Sequence, residues 1–391
     1  MIILEDQYYD INQRLLIIAG LWPYQKWRFR IIPIIFFLTV LISYLIVQLA
    51  TFVTSSFNIN LVLTVFSQVL PCLIYILKYS SFLLNSRLVK ECYERLRRDW
   101  ITLKVPDEID ILRKYADITK LFTIIIIVLA SLAIISFSLF QFLPNILDVA
   151  LPLNESRKHH FVFKAEYFID QERYFYFILI HSLLATSMGG IGVISTGCML
   201  AGYALHTCAM LKIASYRLEH ITDKIPPGFN FKRDHIIRER IIAAVNIHRR
   251  ALEFAEFMLS RFMLIYFILI GVGVLSLTIN MFQLLHLAML NDMNGTLGSI
   301  FFVISHFLYL FLANFLGQLI TDHNTDVFNT TYTTQWYTVS VQAQKLLLLI
   351  MQRNTKNYYF VIGGVYVASL EGFATLASTS ISYFTVIYST Q

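Results

Sequence analysis

Long apolar runs, separated by segments that hold most of the charge, set the fold of this 391-residue chain. Seven runs are long enough to cross a bilayer as helices, which takes about 20 residues each. Only 14% of the residues are charged, whereas soluble domains carry about 25%. The pattern predicts an all-α polytopic membrane protein with seven transmembrane helices. The predicted spans are 31–52, 60–84, 121–143, 175–199, 257–285, 297–320 and 359–388.

Lys and Arg are concentrated in alternate connections. They are frequent before span 1, between spans 2 and 3, and between spans 4 and 5. They are absent between spans 1 and 2 and between spans 5 and 6. Since basic residues accumulate in cytosolic loops, the N-terminus is predicted to be cytosolic and the C-terminus extracellular. The N-x-[ST] sites at Asn154 and Asn294 fall on the predicted extracellular side, where glycosylation can occur.

Several function classes are disfavoured by what the chain lacks. No G-x-S-x-G, H-E-x-x-H, P-loop or G-x-G-x-x-G dinucleotide motif is present, so we expect no enzyme and no cofactor. The four cysteines do not have metal-site spacing, and no metal is expected. The net charge of +6 is interpreted as loop charge beside a membrane, so no nucleic-acid partner is expected.

The last sixty residues are the most informative. An amphipathic segment at 337–353 is too short and too polar to span, and the apolar run after it contains Glu371 among Ser and Thr residues. A carboxylate inside a bilayer needs a reason, and a helix that faces water supplies one. At about 100° per residue, one narrow stripe of this run holds mostly small and hydroxyl side chains, as a pore helix needs. The stripe contains Val361, Ala368, Thr375, Thr379, Ser382 and Val386, with Glu371 and Gly372 beside it.

Two readings of these residues remain open at this point. Ser and Thr stripes also pack tightly against other helices, without any pore. Glu371 has the alternatives of facing the pore, pairing with a neighbouring helix or being protonated.

Three C-terminal motifs resemble those of insect odorant receptors. They are Thr333-Thr334-Gln335-Trp336-Tyr337, then the leucine-rich 344–351, then Ser382-Tyr383-Phe384-Thr385-Val386-Ile387, in that family's order. The inverted seven-span topology and the length fit along the whole chain. The connection between spans 4 and 5 is short, whereas the family's coreceptor has a long insertion there. The chain therefore resembles a ligand-tuned subunit and not the coreceptor.

The resemblance implies an odorant-gated, non-selective cation channel that works as a tetramer with the coreceptor. Such a receptor lies in the plasma membrane as a multi-pass protein, in olfactory neuron dendrites. Residues 1–335 would hold membrane helices 1–6 with their cytosolic extensions and the odorant-binding bundle. Residues 336–391 would form a cytosolic anchor half-helix and the pore-lining helix 7. The implied pore residues are Glu371, Thr375, Thr379, Ser382 and Val386, with Val386 as the apolar ring that closes the pore.

The resemblance also places the binding of a small volatile in the outer half of spans 2, 3, 4 and 6. An apolar, aromatic cavity suits such a ligand, because burial of apolar area dominates its binding. His181 and His306 are the polar side chains to watch, and ordinary core packing is the alternative for each residue. The candidates are Phe66, Val69, Phe137, Ser138, Gln141, Phe177, His181, Phe302, Ser305 and His306.

Two other receptor classes share the seven-span outline. A gustatory-type ligand-gated channel has the same topology, but the pattern usual in its last span is not present here. A G-protein-coupled receptor is less favoured. It has the opposite charge pattern, and no Asp-Arg-Tyr triplet ends span 3.

Overall fold

The computed structural model describes residues 4–142, 164–223, 225, 231–354 and 359–389. Within these ranges the backbone forms ten α-helices, one 3₁₀ turn and one two-stranded hairpin. Asn154 lies outside the described residues, as do the side chains of Gln141 and Asn294. The elements are α1 (Leu4–Ile18), α2 (Trp27–Thr54), α3 (Ile59–Leu84), α4 (Ser86–Thr102), α5 (Pro106–Gln141), α6 (Phe175–Glu219), α7 (Phe231–Met289), α8 (Met293–Thr333), the 3₁₀ turn (Trp336–Thr338), α9 (Val341–Asn354), β1 (Val361–Ile362), β2 (Tyr366–Val367) and α10 (Leu370–Ser389).

Six of the described helices are long and apolar enough to cross a membrane, and they overlap the first six predicted spans. They are α2, α3, α5, α6, α7 and α8. α10 is not in this set, and its 20 residues include one Glu, one Gly, three Thr and four Ser. At a rise of about 1.5 Å per residue it is still about 30 Å long, which matches the hydrocarbon core of a bilayer. The fold is that of a polytopic helical membrane protein whose last helix has seven Ser and Thr residues among its 20.

Three helices continue beyond the length that a membrane requires, at the end of the bundle that carries the basic connections. α6 has 45 residues, α7 has 59 and α8 has 41. Their continuations bury apolar side chains such as Leu211, Ile241 and Val327 in one cluster, which α9 joins through Ala343 and Leu347. This packed end is called the anchor below. It is formed by 203–218, 237–262, 320–333 and 341–350.

Two buried carboxylates fix the helices at the anchor. Asp99 of α4 is 7% exposed and accepts a hydrogen bond from Nε2 of His206 at 3.0 Å, and Arg250 of α7 pairs with its other oxygen. Glu108 of α5 is 3% exposed and pairs with Arg217 of α6. Because a buried carboxylate needs a charged or hydrogen-bonding partner, these pairs determine how α4 and α5 meet α6 and α7.

The last predicted span is not one continuous helix. Residues 361–367 form an antiparallel hairpin instead. Its turn contains Gly363 and Gly364 with φ of +64° and +74°, a region that other residues rarely adopt. Val361 therefore lies in β1 and Ala368 follows β2, so their assignment to a helical stripe was wrong.

Glu371 lies in the first turn of α10 and not deep inside a helix. The Ser369 hydroxyl oxygen accepts a hydrogen bond from the amide of Gly372 at 3.0 Å, which caps the start of this helix. A carboxylate in the first turn is stabilised by the positive end of the helix dipole. The position of Glu371 is thus explained locally, without a charge buried at mid-membrane depth.

Candidate ligand cavity and pore-facing helix

A cavity of about 570 Å³ lies within the helix bundle. Helices α3, α5, α6, α7 and α8 contribute to its wall, and the hairpin before α10 lines one side. Sites that hold small organic ligands have volumes of about 300–1,000 Å³. Most of the wall is aliphatic or aromatic. Its polar side chains are Tyr75, Lys78, Tyr266, Ser305, His306, Tyr309, Asn314 and Tyr366.

The cavity lies nearer the anchor than the outer-half site that the sequence predicts. On α3 its wall covers 71–78, C-terminal to both predicted contacts of that helix. On α5 it covers 122–134, N-terminal to the predicted contacts, and on α6 it covers 190–204, C-terminal to them. The chain runs toward the anchor along α3 and α6 and away from it along α5. On all three helices, the cavity wall therefore lies nearer the anchor than the predicted contacts do.

Three of the predicted ligand residues line this cavity, and all three are on α8: Phe302, Ser305 and His306. A second cavity, of about 10 Å³, lies nearer the predicted outer site and shares Phe302. This volume is enough for about one water molecule. Of the predicted residues with described side chains, six line neither cavity: Phe66, Val69, Phe137, Ser138, Phe177 and His181.

The residues away from the cavities have other contacts. Val69 packs in a small cluster between α2 and α3, and Phe66 meets Phe52 with 6.3 Å between ring centroids. Phe137 stacks on Phe301 at 5.3 Å. Phe177 is 73% exposed, on the outside of the bundle where lipid would lie. These four aromatic and aliphatic side chains serve helix packing or face the membrane in this structure.

His181 has hydrogen bonds at both ring nitrogens. The Ser43 hydroxyl donates its one hydrogen to the Val40 carbonyl at 3.0 Å. The Ser43 oxygen therefore accepts a hydrogen bond from Nε2 of His181 at 2.9 Å. Nδ1 then accepts from the Tyr167 hydroxyl at 2.8 Å. Burial raises the pKa of Tyr167 to about 12, so this hydroxyl keeps its proton. His181 joins α2, α6 and the segment before α6, and no ring nitrogen is left for a ligand.

His306 is buried at the cavity, but its nitrogens are also occupied. The Phe302 carbonyl can only accept, so Nδ1 of His306 donates to it at 2.7 Å. Nε2 accepts from the Ser276 hydroxyl at 2.8 Å. His306 can therefore contact a ligand only through the face or edge of its ring. A hydrogen bond to a ligand in this cavity must come from another residue.

Glycines of α6 shape the cavity. A Cβ at Gly189 would overlap the ring of Tyr75, so glycine is what allows this ring to lie against α6. A Cβ at Gly197 would meet no atom within 4 Å, and Gly197 lines the cavity. Part of the cavity therefore exists because position 197 has no side chain.

The hairpin connects the cavity to α10. Tyr366 lines the cavity, and its hydroxyl donates to Oδ1 of Asn314 on α8. The backbone oxygen of Ala368 lies so close to Gly317 that a Cβ there would overlap it. Because α10 begins directly after this contact, the first turn of α10 is positioned by a helix of the cavity wall.

One face of α10 packs on the bundle. Leu376 is 8% exposed and lies in a cluster with Val274, Leu277 and Leu310. Ser380 is fully buried on the same face, and its carbonyl accepts from Thr278 at 3.3 Å. This face is held by α7 and α8, and the described residues leave the opposite face of α10 uncovered.

The opposite face carries most of the predicted pore residues. Glu371, Thr375, Ser382 and Val386 are exposed, and Val386 is 59% exposed. Thr379 is only partly exposed, at the edge of this face. Ser378, which the sequence analysis missed, is exposed on the same side of the helix.

Three hydroxyls on this side of α10 donate their hydrogens within the helix. Thr375 donates to the Glu371 carbonyl at 3.0 Å, Thr379 to the Thr375 carbonyl at 2.7 Å and Ser382 to the Ser378 carbonyl at 2.9 Å. A hydroxyl that donates to its own backbone presents only oxygen lone pairs outward. Such a face can solvate cations, and the Glu371 carboxylate at its start adds negative charge.

Comparison with known proteins identified relatives along nearly the whole chain. The family model described as 7tm Odorant receptor matches residues 58–381. The structure of the insect olfactory receptor OR5 from Machilis hrabei in complex with eugenol has a TM-score of 0.77 at 16% identity, and the match covers 99% of each chain. A second structure of the insect olfactory receptor OR5 from Machilis hrabei also has a TM-score of 0.77, at 15% identity and 98% coverage of each chain.

Proposed function

This chain belongs to the 7tm odorant receptor family, and from that premise we propose that it is the ligand-binding subunit of an odorant-gated cation channel. Membership of the family makes it a multi-pass membrane receptor and not an enzyme. The proposal concerns which part of the molecule binds the odorant, which part forms the pore and how the two communicate.

The cavity among α3, α5, α6, α7 and α8 is the proposed odorant site. Its size and its apolar, aromatic wall suit a small volatile, with Phe302, Ser305 and His306 among the contacts. OR5 of Machilis hrabei has been determined in complex with eugenol, which supports a ligand of similar size. The predicted contacts farther from the anchor, such as Phe66 and His181, would then act by supporting the helices around the site.

The exposed face of α10 is the proposed pore surface. In a tetramer, four such faces around an axis would place Thr375, Ser378 and Ser382 along a water-filled path, with Glu371 at one end and Val386 near the other. Hydroxyl oxygens without a rigid carbonyl cage discriminate weakly among small cations. A ring of Val386 side chains would close the path by excluding water.

One observation supports coupling between the proposed odorant site and the proposed pore surface. Tyr366 lines the cavity, bonds to Asn314 and lies in the hairpin that leads directly into α10. A ligand that presses on this wall moves the same hairpin that sets the start of the pore helix. Differential contact of the ligand with two positions of the hairpin is what would shift the channel toward the open state.

The assembly follows from the charge pattern and the anchor. The N-terminus is proposed to be cytosolic, with the anchor on the cytosolic side and the C-terminus outside. On α9, Leu348 and Leu349 are 50% and 60% exposed although the same helix packs into the anchor, so this face suits contact with another subunit. We place the chain in the plasma membrane of olfactory dendrites, as a heterotetramer with the coreceptor.

A gustatory-type channel is the remaining alternative in the same topology. The match of residues 58–381 to the odorant receptor family model favours an odorant receptor over this alternative.

Two glycines provide the test. A Cβ at Gly197 or at Gly271 meets no atom within 4 Å, but Gly197 lines the cavity whereas Gly271 is exposed on α7. Gly197→Leu should fill the cavity and suppress odorant-evoked current when the subunit is coexpressed with the coreceptor. Gly271→Leu adds the same side chain away from the cavity and should respond as the unmodified receptor does.

The currents would be recorded against a broad panel that includes eugenol, octanal, 2-octanone and 1-octanol. Surface expression of each variant would be measured in the same cells. Equal responses of the two leucine variants at equal expression would show that the cavity is not the ligand site. Failure of the whole panel to evoke current from the unmodified receptor with its coreceptor would count against the channel function itself.

A further inference from the structure

A lysine lies inside the helix bundle, at the proposed ligand cavity. Lys78 of α3 is 4% exposed, and it is the one charged side chain among the described residues that line the cavity. A charge within a membrane helix is costly, and such residues generally have a partner or a ligand. The surroundings of Lys78 therefore indicate what this partner is.

Two aromatic rings hold the ammonium group in place. Nζ of Lys78 lies 4.6 Å from the centroid of the Tyr266 ring and 5.8 Å from that of Tyr309. The faces of these rings attract a cation but do not replace acceptors for the three N–H groups of an ammonium. Over the part of the chain that the structure describes, Lys78 Nζ has no ion pair and no hydrogen bond.

A second donor at the same cavity also lacks a partner. The Tyr266 hydroxyl is buried, and no hydrogen-bond partner for it is found among the described residues. Three other polar side chains of the wall are already engaged. His306 bonds to Phe302 and Ser276, and Tyr366 bonds to Asn314. Lys78 and Tyr266, which are in contact through the cation–π interaction, are thus two donors of this wall without a hydrogen-bond partner among the described residues.

We propose that the ligand of this receptor is an apolar molecule with a carbonyl or carboxylate oxygen, which accepts hydrogen bonds from Lys78 and Tyr266. Aldehydes, ketones, esters and carboxylic acids with a hydrocarbon chain or ring have this chemistry. The apolar part lies along the aliphatic wall formed by α5 and α6. Aliphatic amines are excluded, because a protonated amine would meet Lys78 as a like charge. This inference rests on the proposed odorant site and gives the chemical class of its ligand.

A volatile carbonyl compound and a fatty acid from the membrane share this chemistry. Lys78 and Tyr266 would recognise the oxygen acceptor in either case, and competition by oleate separates the two sources.

The first experiment traps the ligand on Lys78 independently of channel activity. Octanal is added with sodium cyanoborohydride to the purified full-length receptor in detergent. The aldehyde and the lysine amine condense with loss of water, and hydride from the borohydride reduces the imine to a secondary amine. Peptide mass spectrometry then locates the octyl group. We expect Lys78 to be modified at octanal concentrations that leave the exposed Lys90 unmodified.

Competition tests the recognition of the oxygen. 2-Octanone in excess should protect Lys78, whereas octane and octylamine, with the same chain length, should not. Protection by oleate would support the acceptor chemistry and assign its source to membrane lipid. Absence of an adduct on Lys78 while Lys90 is modified would overturn the proposal, and so would equal protection by octane or octylamine.

Current recordings with the coreceptor provide the second arm. Loss of a charged hydrogen-bond donor should raise the half-maximal concentration of a carbonyl agonist by about tenfold or more in Lys78→Met. Tyr266→Phe should give a smaller rise, and the control Lys90→Met should give none. An unchanged agonist concentration in Lys78→Met would overturn the proposal while leaving the channel function in place. An octyl adduct on Lys78 without any evoked current would instead contradict the channel function.

Discussion

Tyr366 donates a hydrogen bond to the side-chain oxygen of Asn314, and this contact joins the hairpin before α10 to α8. Both residues line the proposed ligand cavity. The pair is therefore at once part of the proposed ligand site and part of the support of the proposed pore helix. The pair is thus a place to test coupling between the two.

Tyr366→Phe should reduce the maximal odorant-evoked current. The substitution keeps the ring at the cavity and removes only the hydroxyl. A net hydrogen bond contributes about 0.5–1.5 kcal/mol, so the balance between closed and open states should shift by about 2- to 12-fold. Whole-cell recording with saturating agonist, in cells that express the coreceptor, measures this change.

A double-mutant cycle that combines Tyr366→Phe with Asn314→Ala is the control. If the two residues act through their shared hydrogen bond, the double variant should be no more impaired than the worse single variant. Additive losses would mean that the two side chains affect the channel separately, and the coupling role of the pair would have to be abandoned.

The helical spans and the exposed face of α10 were predictable because both depend on local periodicity. Thr375, Ser382 and Val386 lie on one face of α10 as the helical repeat requires, and the structure leaves this face uncovered. The hairpin was missed although its signal was present. Gly363-Gly364 is a turn dipeptide, and it interrupts an apolar run that hydropathy alone reads as a single span.

The position of the cavity could not be predicted in the same way. A cavity is the space that several helices leave between them, and it depends on how far each helix is shifted along its axis. Gly197 and Tyr75 determine its shape through contacts that no local pattern encodes. Lys78 did carry a signal, because a base within an apolar run marks a functional position, but its two aromatic partners are far away in sequence.

Cysteines at Ser382 and Ser380 should differ in reactivity. The two positions lie close together on α10, but Ser382 is exposed and Ser380 is fully buried against α7. If the exposed face lines the pore, a permeant thiol reagent should block current in Ser382→Cys during agonist exposure and leave Ser380→Cys unaffected. Background reaction should be low, because all four native cysteines are buried and burial raises the pKa of the Cys92 thiol to about 12.

Block of both variants at the same rate, or of neither, would argue against a pore on this face. The unmodified receptor, treated in the same way, reports any contribution of the coreceptor's own cysteines.

Val386→Ser should raise the resting current in the absence of odorant. The proposed closure depends on a ring of apolar side chains that excludes water, and the smaller, hydroxyl-bearing serine would let water remain. Current at rest, with and without a pore blocker, is the measurement. Val386→Ile keeps the ring apolar and should stay closed, so a leak in both variants would point to general disruption of the helix and not to a gate.

Glu108→Gln should destabilise the protein more than any loss of a surface ion pair. Arg217 donates from Nε and Nη2 to the two oxygens of Glu108 at 2.6 Å and 2.8 Å, and from Nη1 to the Ala243 carbonyl at 3.1 Å. This one guanidinium thus joins α5, α6 and α7. The Glu108 side chain is 4% exposed, so an amide in its place leaves part of the Arg217 charge without its partner.

Removing the charge at Glu108 should cost about 1.5–3 kcal/mol, the range for a hydrogen-bonded charged group. The matched control is Asp110→Asn in the same helix, since Asp110 pairs with Arg113 at 3.0 Å but the two side chains are 68% and 42% exposed. Exposed pairs contribute at most about 1 kcal/mol. Thermal unfolding of the two purified variants in one detergent should therefore show a clearly lower midpoint for Glu108→Gln. Equal midpoints would mean that solvent or lipid headgroups screen the buried pair as fully as the exposed one, and that the Glu108–Arg217 pair does not stabilise the anchor.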